Sequence, residues 1–139
     1  MIKLAYKYRM YPNKSQKELL SNTFGCVRVM WNICVNSFNS YNKETNPNPK
    51  YPTKSDLIND RPWLNEVSAA TLQQKQRDFI EFSKQYFNKD RKKKFGKPNF
   101  KNKHGDQSFR LPYPKFKLSD SKIRLEKIGW IRIVIDRPI

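Results

Sequence analysis

A basic tract with interspersed aromatic residues is the stretch of this sequence best suited to binding chemistry. It runs from Lys89 to Arg110, and Phe95, Phe100 and Phe109 interrupt its lysines and arginines. Cationic side chains neutralise phosphates, and aromatic rings stack on nucleobases. The tract therefore predicts nucleic-acid binding, with a solvated linker as the alternative for any isolated basic run.

The sequence lacks a recognisable catalytic or metal-binding pattern. Its 12 acidic residues are scattered, whereas a two-metal nuclease needs several carboxylates around its ions. The one histidine, His104, lies among lysines beside a glycine, which favours a surface loop. Cys26 and Cys34 fall on one predicted helix, roughly 12 Å apart along its axis, too far for a disulfide. We therefore predict a binding module with no catalytic residue, bound metal or cofactor.

The composition is strongly basic. The 139 residues carry a formal net charge of +17, which calls for a polyanionic partner. Nucleic acid is the first candidate, ahead of an anionic membrane, because no basic amphipathic helix dominates. The N-terminus lacks the apolar core of a signal peptide, and no long apolar run follows. We predict a cytoplasmic protein without a membrane partner.

The first elements are a strand and a long helix. Residues 2–11 alternate between apolar and mostly basic side chains, which predicts a strand with one buried and one basic face. Asn13 and Gln16 then have the spacing of a helix capping box. Apolar residues recur at helical spacing from Leu19 to Tyr41. Gly25, inside this stripe, either allows close helix packing or separates two helices.

A second long helix follows a loop rich in proline and asparagine at residues 42–52. Residues 61–64 predict a turn anchored by Trp63, and Ser68 is positioned to cap the helix. Its first turns carry a polar run, residues 73–77, which is either solvated surface or a surface that reads base edges. Its apolar face consists of Leu72, Phe79, Phe82, Tyr86 and Phe87.

Short strands are predicted after the basic tract, at residues 108–111, 116–118, 122–125 and 130–135, with a hairpin turn at 119–121. Helices and strands in separate stretches indicate the α+β class. Because no later sequence supplies a partner for the last strand, we expect an unpaired sheet edge and limited stability.

Several local patterns together resemble the TnpB (OrfB) family of insertion-sequence-encoded proteins, RNA-guided DNA nucleases long described as transposases. Each pattern is weak alone, but their order and spacing cover nearly the whole chain. They lie at residues 7–13, 23–28, 31–32, 62–67, 72–74, 77–78, 86–87, 96–101, 108–110 and 127–132.

The resemblance implies a split architecture. Residues 1–12 would be the first strand of an oligonucleotide-binding-like β-barrel, the wedge domain. Residues 13–88 would be an inserted α-helical recognition domain with a helix-turn-helix region. Residues 89–139 would be the basic tract and the resumed barrel, incomplete at the C-terminus. The family's nuclease domain and zinc ribbon would lie beyond this chain, so its endonuclease activity is not carried over.

The resemblance also implies binding residues for guide RNA and for double-stranded DNA, including the motif that flanks the element. Ala69 stands where a DNA-reading relative would have a longer polar side chain. The DNA-binding residues would be Tyr51, Ser55, Gln73, Gln74, Tyr113 and Lys115. The residues that bind RNA or phosphate would be Lys3, Lys7, Arg9, Arg28, Arg77, Arg91, Lys92, Lys93, Lys94, Lys97, Lys101, Lys103 and Arg110.

Three hypotheses follow for the function. The leading one is the nucleic-acid-binding N-terminal part of a TnpB-like protein, acting in transposition and DNA recombination. The second is one half of a split, metal-dependent nuclease that acts with a separate chain carrying the nuclease domain. The third is a small repressor that binds DNA through a helix-turn-helix around Gly25, without RNA.

Overall fold

The computed structural model describes residues 6–40, 50–88, 96–105 and 107–138. Its elements are strand β1 (Tyr6–Tyr11), helices α1 (Lys14–Asn39), α2 (Lys54–Leu57) and α3 (Ala69–Phe87), and strands β2 (Phe116–Ser119), β3 (Lys122–Leu125) and β4 (Gly129–Pro138). A 3₁₀ turn, Pro62–Glu66, precedes α3. The fold is of the predicted α+β class.

The first strand pairs with the last one. The sheet is antiparallel and open, with the strand order β1-β4-β3-β2. The expectation that β4 leaves an unpaired edge is wrong, because β1 occupies that side and pairs Tyr11 with Arg132. Among the described strands, the edges of this sheet are β1 and β2. The hairpin between β2 and β3, with Asp120 and Ser121 at its turn, confirms that prediction.

Helix α1 is continuous over 26 residues. Its N-terminus has the predicted capping box: the backbone N–H of Gln16 donates to Asn13 Oδ1 and the backbone N–H of Asn13 donates to Gln16 Oε1. The helix does not break at Gly25. A Cβ at this position would meet only the Arg28 guanidinium, at an ordinary 3.7 Å, so close packing does not explain the glycine either.

The faces of α1 and α3 enclose an aromatic core centred on Phe79, which is fully buried. Its ring centroid lies 4.8 Å from that of Trp31, 4.9 Å from that of Tyr51 and 6.2 Å from that of Phe38. Aromatic pairs at such separations add to the stabilisation that burial alone provides. Residues from both helices and from the loop before α2 are thus held together here.

A second cluster joins α1 to the sheet. It contains Leu20 of α1, Leu125 at the end of β3, Ile128 in the turn that follows and Ile131 of β4. Phe109 packs against this cluster and also against the α1–α3 core. The sheet and the helices therefore share one bridging aromatic side chain.

Polar contacts fix the same junction. Ser68 is the N-cap residue of α3, but its side chain does not cap the helix as predicted. Its hydroxyl donates instead to Glu126 Oε1 over 2.6 Å. This hydrogen bond is the main cause that lowers the pKa of Glu126 from its ordinary value, and the hydrogen bond and charge of Lys115 lower it further. Gln16 Nε2 donates to the Trp130 carbonyl, so both long helices are tied to the sheet at their N-termini.

Three local predictions need correction or confirmation. Residues 108–111 form no strand, because Phe109 and Leu111 pack into the helix–sheet junction instead of pairing. Trp63 is 40% exposed, and it is Leu64 that anchors the 3₁₀ turn in the core. The core positions of Cys26 and Cys34 are confirmed, and burial raises the pKa of Cys34 to about 12.

No helix in the described ranges is long and apolar enough to cross a membrane.

Candidate nucleic-acid interface

Three cationic side chains from different parts of the chain meet at one small cavity, which we call the Lys75 pocket. Arg28 comes from α1, Lys75 from α3 and Lys101 from the second half of the basic tract. The cavity has a volume of about 10 Å³ and is also lined by Phe24, Val27, Asn102, Gln107 and Ser108. The fold therefore concentrates positive charge where α1, α3 and residues 101–108 converge.

Lys75 is the unusual member of this group, because only 8% of it is exposed. Its ammonium group has neither an ion pair nor a hydrogen bond among the residues that the structure describes. The nearby carboxylate of Asp78 is engaged by Arg110, at 2.6 Å. Burial lowers the pKa of Lys75 from its ordinary value, and the charge of Lys101 lowers it further. The described side chains thus leave the charge of Lys75 without a dedicated counter-charge.

The segment that carries Lys101 is fixed to α1 by side chains. Asn32 accepts from the backbone N–H of Lys101 over 2.7 Å and donates to its carbonyl over 2.9 Å. Trp31 Nε1 donates to the carbonyl of Asn99. The ammonium groups of Lys101 and Lys75 lie 5.1 and 5.7 Å from the Trp31 ring centroid, close enough for cation–π attraction. Trp31 therefore helps to hold the two lysines together.

An open groove of about 440 Å³ lies beside the pocket, with Trp31, Phe82 and Phe100 among its lining residues. Phe100 is 58% exposed. Amide side chains of Asn99 and Asn102 line the same groove. Aromatic faces, amides and Lys101 thus share one concave surface, a combination suited to stacking and hydrogen bonding with nucleobases.

Among the predicted DNA-binding residues, Tyr51 has a clear structural role. It is 9% exposed, and its hydroxyl lies 2.6 Å from Ser83 Oγ. Gln76, a member of the polar run 73–77 that was not among the predicted binding residues, donates to the carbonyls of Tyr51 and Pro52 and so ties the loop before α2 to α3. A DNA contact by Tyr51 stays a prediction, and it would require this buried ring to become accessible to the DNA.

The other predicted DNA-binding residues fall in two places. Ser55 is exposed on α2 and Gln73 is exposed on α3, the helix against which α2 lies. Gln74, next to Gln73, is half-buried. Tyr113 is 79% exposed in the segment before β2, where Lys115 forms an ion pair with Glu126 at 3.1 Å. Glu126 also accepts from Ser68 at the N-terminus of α3, so described contacts connect the two places, and DNA binding at either stays a prediction.

The predicted phosphate-binding residues are also dispersed. Arg28 and Lys101 meet at the Lys75 pocket, and Arg110 stands beside it through its bond to Asp78. Exposed positions elsewhere are taken by Arg9, Arg77, Lys97 and Lys103. The predictions for Lys3, Arg91, Lys92, Lys93 and Lys94 lie outside the described residues, as does the side chain of Lys7.

The sheet carries a second basic surface that the sequence prediction largely missed. Along β4, Ile131 and Ile133 are buried while Trp130, Arg132 and Val134 are exposed. We call the exposed side of the sheet the outer face; its described side chains are Arg9, Tyr11, Lys117, Ser119, Lys122, Arg124, Trp130, Arg132 and Val134. The alternation in β3 and β4 was the available signal, because basic residues occupy the positions between the aliphatic ones.

Comparison with known proteins agrees with this surface chemistry. Residues 1–46 match the family model of the helix-turn-helix domain of OrfB proteins of the IS605 type. A protein of Streptomyces pristinaespiralis named "Putative RNA-guided DNA endonuclease" is 55% identical over 31 residues, 22% of this chain. The N-terminal third of the chain is therefore similar to proteins of the TnpB (OrfB) family. The family match indicates a DNA-binding, transposon-associated protein.

The match spans only a small part of the relative, 8% of its length. Within residues 1–46, which match the family model, the described elements are β1 and α1, and α1 runs through Gly25 without a turn. Among the residues that the structure describes, no three acidic, histidine or cysteine side chains are grouped so that they could hold a metal ion.

Replacing Lys75 by methionine is expected to stabilise the free protein, by on the order of 1 kcal/mol, because an apolar side chain of similar length removes a buried unpaired charge. The folded-state pKa of Lys75 lies below the unfolded one, so the unfolded state binds more protons between the two values. Wild-type stability therefore gains from Lys75 as pH rises from the folded-state pKa toward 10.5, and the variant lacks that gain.

Urea unfolding of both proteins at pH 7 and at pH 10 measures this effect, and the difference between them isolates Lys75 from other titrating groups. The advantage of Lys75→Met should shrink at the higher pH. A variant that is less stable than wild type at both pH values would show that the ammonium supports the fold.

Proposed function

We propose that this chain is the nucleic-acid-binding N-terminal part of a TnpB-like protein. It binds a guide RNA and the DNA motif that flanks the element, and it has no catalytic centre of its own. The observation that carries the binding proposal is the Lys75 pocket, where the largely buried Lys75, whose ammonium group has no counter-ion among the described side chains, lies beside Arg28 and Lys101.

The positive charge of the Lys75 pocket needs an anionic partner. A buried charge is costly unless it is paired, and three like charges around one cavity add repulsion. The cavity itself has room for at most about one water molecule, so a phosphate would bind at its mouth, against Arg28 and Lys101. Phosphate oxygens there would restore the charge balance of Lys75. Such contacts fix the position of a nucleic acid without reading its sequence.

The domain organisation is part of the proposal. We assign residues 1–12 to the first strand of a split wedge barrel, residues 13–88 to the inserted recognition domain, and residues 89–139 to the basic tract and the resumed barrel. The pairing of β1 with β4 supports this assignment, because it brings the two separated stretches of strand into one sheet with the helices between them in sequence.

For recognition of DNA, we assign Ser55 and Gln73 to base or phosphate contacts on the α2–α3 side. Both are exposed on neighbouring elements, and glutamine can pair with the major-groove edge of adenine. Tyr113 and Lys115 would contact DNA from the segment before β2. Gln74 and Tyr51 would support this surface from less exposed positions.

The test uses a hairpin RNA and a 30-base-pair DNA duplex in a filter-binding assay. The double variant Arg28→Gln, Lys101→Gln should weaken binding to at least one probe by about tenfold, the loss expected for two phosphate contacts. The matched control is Lys17→Gln, Lys84→Gln, which removes two exposed lysines of the long helices away from the pocket. Equal losses in both doubles, or no binding by wild type at low salt, would refute the pocket as the binding site. Cleavage of either probe by the purified chain in magnesium would refute the absence of a catalytic centre.

A second candidate, a DNA-binding repressor that needs no RNA, is favoured by the description of the matched family model as a helix-turn-helix domain. Sequencing the nucleic acid that co-purifies with the chain separates the two. One discrete transcript supports guide-RNA binding, and purified chain that is free of RNA yet binds one duplex specifically supports the repressor.

A further inference from the structure

The outer face of the sheet has the chemistry of a stacking surface, and it is separate from the Lys75 pocket. Cross-strand register places Tyr11, Arg132 and Lys122 in one row across β1, β4 and β3. In the neighbouring row, Trp130 of β4 pairs with Arg124 of β3. Positions two apart on a strand lie about 7 Å from each other on the same face, so the two rows are neighbours.

Two aromatic rings are exposed on this face although the opposite face of the sheet is apolar. Trp130 is 45% exposed and Tyr11 is 48% exposed. The Arg132 guanidinium carbon lies 5.4 Å from the Tyr11 ring centroid, so this arginine is already oriented by an aromatic partner. Exposed rings flanked by arginine offer flat surfaces on which bases stack.

The charge of the face is one-sided. Its cations are Arg9, Lys117, Lys122, Arg124 and Arg132, and it carries no acidic group among the side chains that the structure describes. None of the five forms an ion pair with a described residue. Like charges in adjacent rows repel one another unless an anion neutralises them.

We propose that the outer face binds an unpaired segment of RNA, with bases on Trp130 and Tyr11 and phosphates at Arg132, Arg124 and Lys122. A duplex would offer phosphates but would keep its bases stacked inside, whereas an unpaired strand uses the rings and the charges together. The choice of RNA over single-stranded DNA rests on the proposed function. A protein partner fits less well, because Val134 is the one aliphatic side chain described on the face.

The experiment measures binding of fluorescein-labelled rU12, dT12 and a 12-base-pair DNA duplex by anisotropy at low salt. Trp130→Ala should weaken rU12 binding about tenfold or more and leave duplex binding within twofold of wild type, because stacking is lost while phosphate contacts remain. Trp130→Phe should restore most of the affinity. Trp63→Ala is the matched control, since Trp63 is exposed to a similar extent on the 3₁₀ turn.

Folding of each variant is checked by circular dichroism. The Trp130 carbonyl, which accepts from Gln16, is untouched by these changes. If Trp130→Ala does not fold, Tyr11→Ala serves instead and should likewise reduce rU12 binding more than duplex binding, because a stacking ring is lost while the phosphate contacts remain.

The outcomes separate this inference from the proposed function. If Arg28→Gln, Lys101→Gln weakens binding but Trp130→Ala and Trp63→Ala match wild type, the outer face is not a binding site while the pocket stands. If Trp130→Ala is the only variant that loses rU12 binding, the outer face is a binding site and the pocket is not. Binding of dT12 at least tenfold tighter than rU12 would overturn RNA as the ligand. Wild type that binds no probe would overturn both proposals.

Discussion

Phe79→Ala is expected to lower the free energy of unfolding by about 3–5 kcal/mol, the range for removing a buried aromatic side chain and leaving a cavity. Small domains are stable by only about 5–15 kcal/mol. For a domain at the lower end of this range, a loss of this size would leave a measurable fraction of the variant unfolded at room temperature.

The reason is the position of Phe79 among other rings. It is fully buried, and its ring contacts Trp31 of α1, Tyr51 of the loop before α2 and Phe82 of α3. Because these partners come from three parts of the chain, the cavity cannot close by moving one side chain. The same loss would loosen Trp31, which holds the segment that carries Lys101.

Urea unfolding followed by tryptophan fluorescence and circular dichroism measures the loss. Phe100→Ala is the control, because Phe100 is 58% exposed and its removal should change stability by less than about 0.5 kcal/mol. A Phe79→Ala loss below about 1.5 kcal/mol would mean that the helices do not pack around this ring as described.

Binding of the hairpin RNA should weaken about a thousandfold between 50 and 200 mM salt. A protein that neutralises six or more phosphates releases that many counter-ions, and log affinity then falls steeply with log salt concentration. The pocket and the outer face together present enough cations for such a count, since they include Arg28, Lys75 and Lys101 and five further lysines and arginines on the sheet.

The slope of this dependence, measured by titration at five or more salt concentrations, also tests the assignment of residues. Removing Arg28 and Lys101 should reduce the slope by about one unit for each phosphate that the variant no longer binds. The Lys17→Gln, Lys84→Gln double has the same net charge and should keep the wild-type slope. Affinity that barely changes with salt would contradict phosphate-dominated binding.

Features determined by neighbouring residues were predictable from the sequence. The capping box of Asn13 and Gln16, the hairpin between β2 and β3 and the buried stripe of α1 depend on residues a few positions apart. Alternation of the buried Ile131 and Ile133 with the exposed Arg132 is likewise a local signal. These patterns report local geometry, and the structure agrees with them.

Features determined by distant residues were not predictable. The partner of β4 is β1, and no local signal in residues 129–138 points to it. Lys75 lies in a polar run typical of solvated surface, but it is buried, with its ammonium group over the Trp31 ring. Ser68 has the right position for a helix cap, but Glu126, 58 residues later, takes its hydroxyl. Tertiary contacts overrode the local preference in each case.

Pairing between β1 and β4 also determines when the sheet can form during synthesis. The α1–α3 core can assemble once α3 has left the ribosome, but β1 must wait for a partner that is made more than a hundred residues after it. At about 5–20 residues per second, that delay is on the order of ten seconds. During this interval β1 lacks its native partner, and unpaired strands of this kind recruit other chains. Its exposed Arg9, and the lysines and arginines around it, would repel a second copy until β4 arrives.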